Sequence, residues 1–141
     1  MQNNINKIIF YALNPIKGTA FEKSKGPEIN YYVEWIKKTR KTFPNLIIVA
    51  APWVNRVDYI HLMLNAGADA ITKFPAIKLF NTIHAKNIEK EIKSSNYEMR
   101  GTFTKMPNID FEDIDKLTSN SQLKTKIKTK LKQYINQMNK H

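Results

Sequence analysis

Five side chains stand where this chain could do chemistry: Asn14, Lys17, Trp53, Arg56 and Lys73. Each follows an apolar run by a few residues, Asn14 and Lys17 after KIIFYAL, Trp53 and Arg56 after LIIVAA, and Lys73 after ADAIT. A flexible ammonium or a forked guanidinium in such a place can hold a carboxylate or a phosphate, and an indole can stack on a flat ligand. Lys73 is the first choice, because Phe74-Pro75 directly behind it would hold it rigidly. Arg56, near a helix start, is poorly placed for the helix dipole, which favours an anion contact. Ordinary readings stand beside these: Asn14 as a turn residue before Pro15, Lys17 as a solvated loop lysine, Trp53 as a packing residue. No reaction follows from local chemistry. His61 and His84 have no second ligand at metal spacing, and Glu22, Glu28, Glu34, Asp58 and Asp69 show no pairing for acid–base work. Asp69 is accounted for by a tight turn, and neither a phosphate loop nor a dinucleotide fingerprint is present.

The stretch Leu46 to Pro75 contains the elements that must position these groups. Its two apolar runs, Leu46 to Ala51 and Ala68 to Thr72, are too far apart for a hairpin, and Val57, Ile60 and Leu64 between them recur at helical spacing. That pattern predicts a β-α-β unit with parallel strands, Asn55 capping the helix and Gly67 ending it. Upstream, Lys7 to Leu13 reads as a strand apolar on both faces, suited to a sheet buried twice. The loop Asn14 to Pro27 is long enough to be more than a connector. From Pro27 to Pro44 the pattern is helical, with Ile29, Val33, Ile36 and Arg40 on one stripe and Tyr31 and Trp35 beside it. Downstream, a helix is expected over Ala76 to Ser94, irregular chain to Asn108, and a short acidic helix over Asp110 to Leu117. Last comes a basic amphipathic helix in which Leu123, Ile127, Leu131, Tyr134 and Met138 alternate with lysines. The order strand, helix, strand, helix, strand points to α/β architecture, with residues 1–96 as the strand–helix part and 97–141 as a C-terminal extension.

Composition bounds the function classes. The chain has 141 residues, 42% of them hydrophobic, enough to bury a core. No apolar run approaches the roughly 18 residues of a membrane helix, so a cytoplasmic protein without membrane contact is expected. Zero cysteines exclude a thiolate metal site or cysteine nucleophile in this chain. The formal net charge of +11 gathers at the C-terminus, where Lys116 to His141 hold seven lysines and no acid. Nucleic acid is therefore not the first partner expected.

Three motifs in order carry a resemblance: Asn14-Pro15-Ile16-Lys17-Gly18-Thr19 after the first strand, Thr39-Arg40 with Phe43-Pro44 closing the first helix, and Asn65-Ala66-Gly67-Ala68-Asp69-Ala70-Ile71 before the last strand. In this order the chain resembles the second half of a radical S-adenosylmethionine barrel of the biotin synthase group, over roughly Lys7 to Asn81. The resemblance implies a partial TIM-type (β/α) barrel of about three parallel strand–helix units plus C-terminal helices. It implies S-adenosylmethionine and a [4Fe-4S] cluster in the complete enzyme, neither bound by this chain alone, since the family's Cys-x-x-x-Cys-x-x-Cys loop is absent. Asn14, Lys17, Trp53, Arg56 and Lys73 would then face the substrate or adenosyl pocket, with catalytic residues unknown and a small molecule as substrate. Ile47 and Ile48 stand where biotin synthase has an arginine, so biotin synthase itself is not implied. Three strands cannot close a barrel, and an N-terminal half-barrel chain or self-association is expected to cover the open edges. The alternative is a basic binding protein that contacts nucleic acid or an acidic partner through its Lys-rich helix.

Overall fold

The structure, a computed structural model, describes residues 5–52, 54–72 and 74–140. It divides into two units, one holding the residues up to Phe74 together with Asn87–Arg100, the other Pro75–Lys86 with Gly101 onward.

In the first unit three strands form one parallel sheet, β1 (Lys7–Tyr11), β2 (Ile47–Ala51) and β3 (Ala70–Ile71), neighbours in sequence order. The register pairs Lys7 with Ile47 through Tyr11 with Ala51, and Val49 with Ala70. Between the strands run α1 (Ile29–Thr42), then a 3-10 stretch (Val54–Tyr59) leading into α2 (Ile60–Asn65). The α/β class with a parallel sheet is thus as expected.

Alternation along the strands decides what the sheet covers. Ile8 and Phe10 of β1 and Ile48 and Ala50 of β2 meet Tyr32, Ile36, Ile29 and Val33 of α1, with Met63, Ala66 and Ala68 completing the core. The sequence predicts strands buried on both faces, but β1 alternates. Ile9, Tyr11 and Ile47, directed to the other face, are 41%, 54% and 45% exposed. One apolar face has its cover and the other lacks it over β1.

Two local expectations change. Asn55 does not cap a helix. The chain stays 3-10 until Tyr59, Arg56 departs from helical angles (φ −130°, ψ 16°), and α2 begins at Ile60 without a side-chain cap. Ala76 to Ser94 is not one helix either. Turns held by Leu79 N–H to Pro75 O and by the Thr82 hydroxyl to Leu79 O occupy its start, Asn81 takes a left-handed conformation (φ 56°), and α3 runs only over Ile83–Ser94. Asparagine tolerates that conformation better than most residues, so the helix starts after it. Within the first unit, the latter part of α3 is joined to the 3-10 stretch by Asn87 Nδ2 donating to Asp58 (3.1 Å), and to α2 by a contact between His61 Nδ1 and Glu91.

In the second unit, α4 (Asp113–Leu117) packs beside α5 (Ser121–Met138). Asn120 caps α5 by accepting from Leu123 N–H at 3.0 Å. Lys128 bonds Asp115 at 2.8 Å, and this pairing holds the Asp115 carboxyl below the usual carboxylate range. No residue of α5 is buried, yet Lys130 lies over the Tyr134 ring and Lys132 over Phe111.

Candidate functional site

Parallel strands start and end together, so the chain has two opposite rims with different chemistry. At the C-terminal ends of β1 and β2, Tyr32 from α1 reaches between the strands. Its hydroxyl donates to Phe10 O and accepts from Ala51 N–H at 3.0 Å. The ring is 4% exposed and packs edge-on against Phe10. Burial pushes the Tyr32 hydroxyl pKa up, against smaller opposing effects of the Ala51 hydrogen bond and the Arg56 charge.

Arg56 sits at the same rim. Its Nη2 donates to Pro27 O at 2.7 Å, tying the segment after β2 to the end of the loop after β1. Nη1 is buried and has no hydrogen-bond partner among the described residues. The loop between Leu13 and Pro27 closes at a narrow neck. At Gly26 (φ 69°) an added Cβ would lie 2.8 Å from Leu13 O and 3.6 Å from Arg56 Nη2, so glycine is required on both steric and conformational grounds. Beyond the neck the loop carries exposed Ile16, Lys17 and Phe21, and Gly18 N–H donates to Glu22 at 2.8 Å. This is a compact Ω-type loop with its ends together.

Of the five residues singled out in sequence, Arg56 is engaged at the rim, while Asn14 and Lys17 are exposed on the loop. Trp53 and Lys73 lie outside the described residues. Tyr32 was missed, although it lies on the same helical stripe as Ile29 and Ile36. A tyrosine there signals a buried hydroxyl seeking two partners.

The opposite rim gathers the residues of the second and third motifs. Arg40 donates from Nη1 to Pro44 O (2.6 Å) and Leu46 O (2.9 Å), from Nε and Nη2 to Gly67 O (3.1 and 2.9 Å), and from Nη2 to Asp69 (2.6 Å). Asp69 also accepts from Ile48 N–H at 2.8 Å. One guanidinium thus fastens the end of α1, the start of β2 and the turn into β3. Asp69 is more than a turn former: it receives both the guanidinium and a strand amide. These groups are occupied by one another, so this rim is structural, as the N-terminal face of β/α folds generally is.

Among the described residues no cluster of His, Cys, Asp and Glu could hold a metal ion, and no helix is long and apolar enough to cross a membrane. With no cysteine in its sequence, the chain does not fit an iron–sulfur cluster by itself. No protein family matches the chain, and no solved structure matches it. Among curated proteins it is similar to the uncharacterized protein MJ0597 of Methanocaldococcus jannaschii, 39% identical over 101 residues. The match takes in 72% of this chain and 28% of the relative, so the chain spans little more than a quarter of that protein's length.

Proposed function

We propose that this polypeptide is the C-terminal portion of a radical S-adenosylmethionine enzyme of the biotin synthase-like group. Its strand ends complete the substrate and adenosyl pocket, and the cluster is held by another portion of the enzyme. The observation that carries the reading is the sheet: three parallel strands adjacent in sequence order, with α1 packed on one face and, on the other, Ile9, Tyr11 and Ile47 exposed while Val49 and Ala51 are buried. In a (β/α) barrel that second face is the packed interior, and chemistry takes place at the C-terminal ends of the strands. The relative is long enough to hold such a further portion, since the part of that protein outside the match is more than twice the matched part. The clustering of two resemblance motifs around Arg40 supports the fold behind the resemblance, while the assignment of S-adenosylmethionine rests on the motifs themselves.

This polypeptide alone is therefore expected to bind neither the cluster nor S-adenosylmethionine, and to self-associate. Apolar area at about 25 cal/mol per Å² favours burial of the exposed Ile9, Tyr11 and Ile47 against another chain. Anaerobic reconstitution with iron and sulfide, calorimetry with S-adenosylmethionine, and light scattering make the test. A monodisperse monomer that binds the cofactor tightly would overturn the proposal.

A second reading, a basic protein binding nucleic acid or an acidic partner, draws on the lack of buried residues in α5. Lys128, Lys130 and Lys132 are turned to Asp115, Tyr134 and Phe111, which leaves a less continuous basic face than a phosphate backbone needs. The barrel reading is preferred on that ground.

A further inference from the structure

The feature that neither rim nor core accounts for is the inner edge of the Arg56 guanidinium. A guanidinium stays charged at any physiological pH, so burial cannot be relieved by loss of a proton. Its five donors then need acceptors, and a buried charged donor without one carries a penalty of about 1–3 kcal/mol or more. Here Nη2 has the Pro27 carbonyl, and Nη1 has no hydrogen-bond partner among the described residues. Among the described residues no hydrogen bond or ion pair joins Arg56 to a carboxylate: Asp58 accepts from Asn87, Glu22 accepts from Gly18 N–H, and Glu28, beside Pro27, is exposed. The same segment adds Lys17, Lys23 and Lys25 against Glu22 and Glu28, so with Arg56 the rim carries a net positive charge.

We propose that Arg56 anchors the anionic group of a small ligand, a compact carboxylate or phosphate, received through Nη1 at the C-terminal ends of β1 and β2. The inference rests on the reading of these strand ends as a ligand mouth. In open parallel α/β sheets ligands settle outside the carboxyl ends of the strands, where Arg56 lies. The Pro27 contact fixes the plane of the guanidinium, so Nη1 is oriented before the ligand comes. Nη1 is buried with the loop in place, so the anion reaches it only when the neck at Gly26, packed on Leu13 O, moves aside.

The test follows the Arg56 side-chain NH resonances of the full chain by NMR while inorganic phosphate or acetate replaces chloride at constant ionic strength. The expected result is a saturable shift of those resonances with at least one of the two anions, and affinity about tenfold weaker in Arg56→Gln. Arg56→Lys, which keeps the charge but loses the fork, should fall between them. Replacing Lys17, Lys23 and Lys25 by glutamine should leave the Arg56 shift in place. The wild-type resonances keep the proposal testable even if Arg56→Gln fails to fold. Arg56 resonances unmoved at anion concentrations that shift the lysines of α5, or equal affinity in a folded Arg56→Gln, would overturn it. Such a failure would leave the barrel reading intact, because that reading is tested by cluster and cofactor binding instead.

Discussion

Arg40→Ala is expected to lower the unfolding free energy by about 2–4 kcal/mol, a large share of the roughly 5–15 kcal/mol of a typical domain. The substitution removes the guanidinium that joins α1, β2 and the turn before β3, and it strips donors from Pro44 O, Leu46 O, Gly67 O and the Asp69 carboxylate. Hydrogen bonds to a charged donor contribute about 1.5–3 kcal/mol each when their loss leaves the partner unsatisfied. The partly exposed Asp69 contact counts for less, because solvent screens it. Arg40→Lys should recover part of the loss, since an ammonium cannot reach four acceptors in the fixed geometry of the fork. Gly67→Ala attacks the same joint from the other side. Gly67 has φ 108°, and an added Cβ would come within 2.8 Å of Arg40 Cγ. Urea denaturation midpoints for the three variants measure this. Midpoints within error of the wild type would show that the rim contributes little to stability.

Tyr32→Phe should cost about 1–3 kcal/mol while preserving the aromatic packing. The ring keeps its place against Phe10, but Phe10 O and Ala51 N–H both lose the hydroxyl that bridges β1 and β2. The variant also isolates a pH effect. The folded-state pKa of Tyr32 is raised above its ordinary value of 10.0 by burial. The folded state then holds the phenol proton more tightly than the unfolded chain does, so this contribution is fully present below pH 10 and is lost as pH rises through the folded pKa. Denaturant titrations between neutral pH and the alkaline limit should show a steeper decline in the wild type than in Tyr32→Phe. Parallel curves would remove Tyr32 as their cause.

Much of the first unit was legible because its signals are local. The strands over Lys7–Tyr11 and Ile47–Ala51 follow from β-favouring apolar runs, α1 from a 3.6-residue stripe, and the turn at Gly67 from the one residue that adopts its φ without strain. What failed did so where a tertiary contact decides. Asn55 has the chemistry of a cap, yet the chain stays 3-10 through Tyr59, with Arg56 at the kink reaching back to Pro27 across 29 positions. The early part of Ala76 to Ser94 has helical spacing, yet Asn81 turns left-handed and donates its backbone N–H to Phe103 O. The two-sided apolar character of β1 was read as burial on both faces, because hydropathy reports which surface can be buried rather than what is there to bury it.

The site was less legible than the fold. Arg56 was singled out for its position, but its half-used guanidinium becomes visible only with the loop in place. Arg40 and Asp69, read first as a helix-stripe residue and a turn former and then as parts of the resemblance motifs, prove to join three elements.

The most direct test of the radical S-adenosylmethionine assignment uses the longer relative from Methanocaldococcus jannaschii, which contains a counterpart of most of this chain. That protein, purified anaerobically, reconstituted with iron and sulfide and reduced, would be assayed for conversion of S-adenosylmethionine to methionine and 5′-deoxyadenosine. The account predicts a cluster with [4Fe-4S] electron paramagnetic resonance and measurable 5′-deoxyadenosine. A well-folded relative that takes up no cluster and leaves S-adenosylmethionine intact would contradict it.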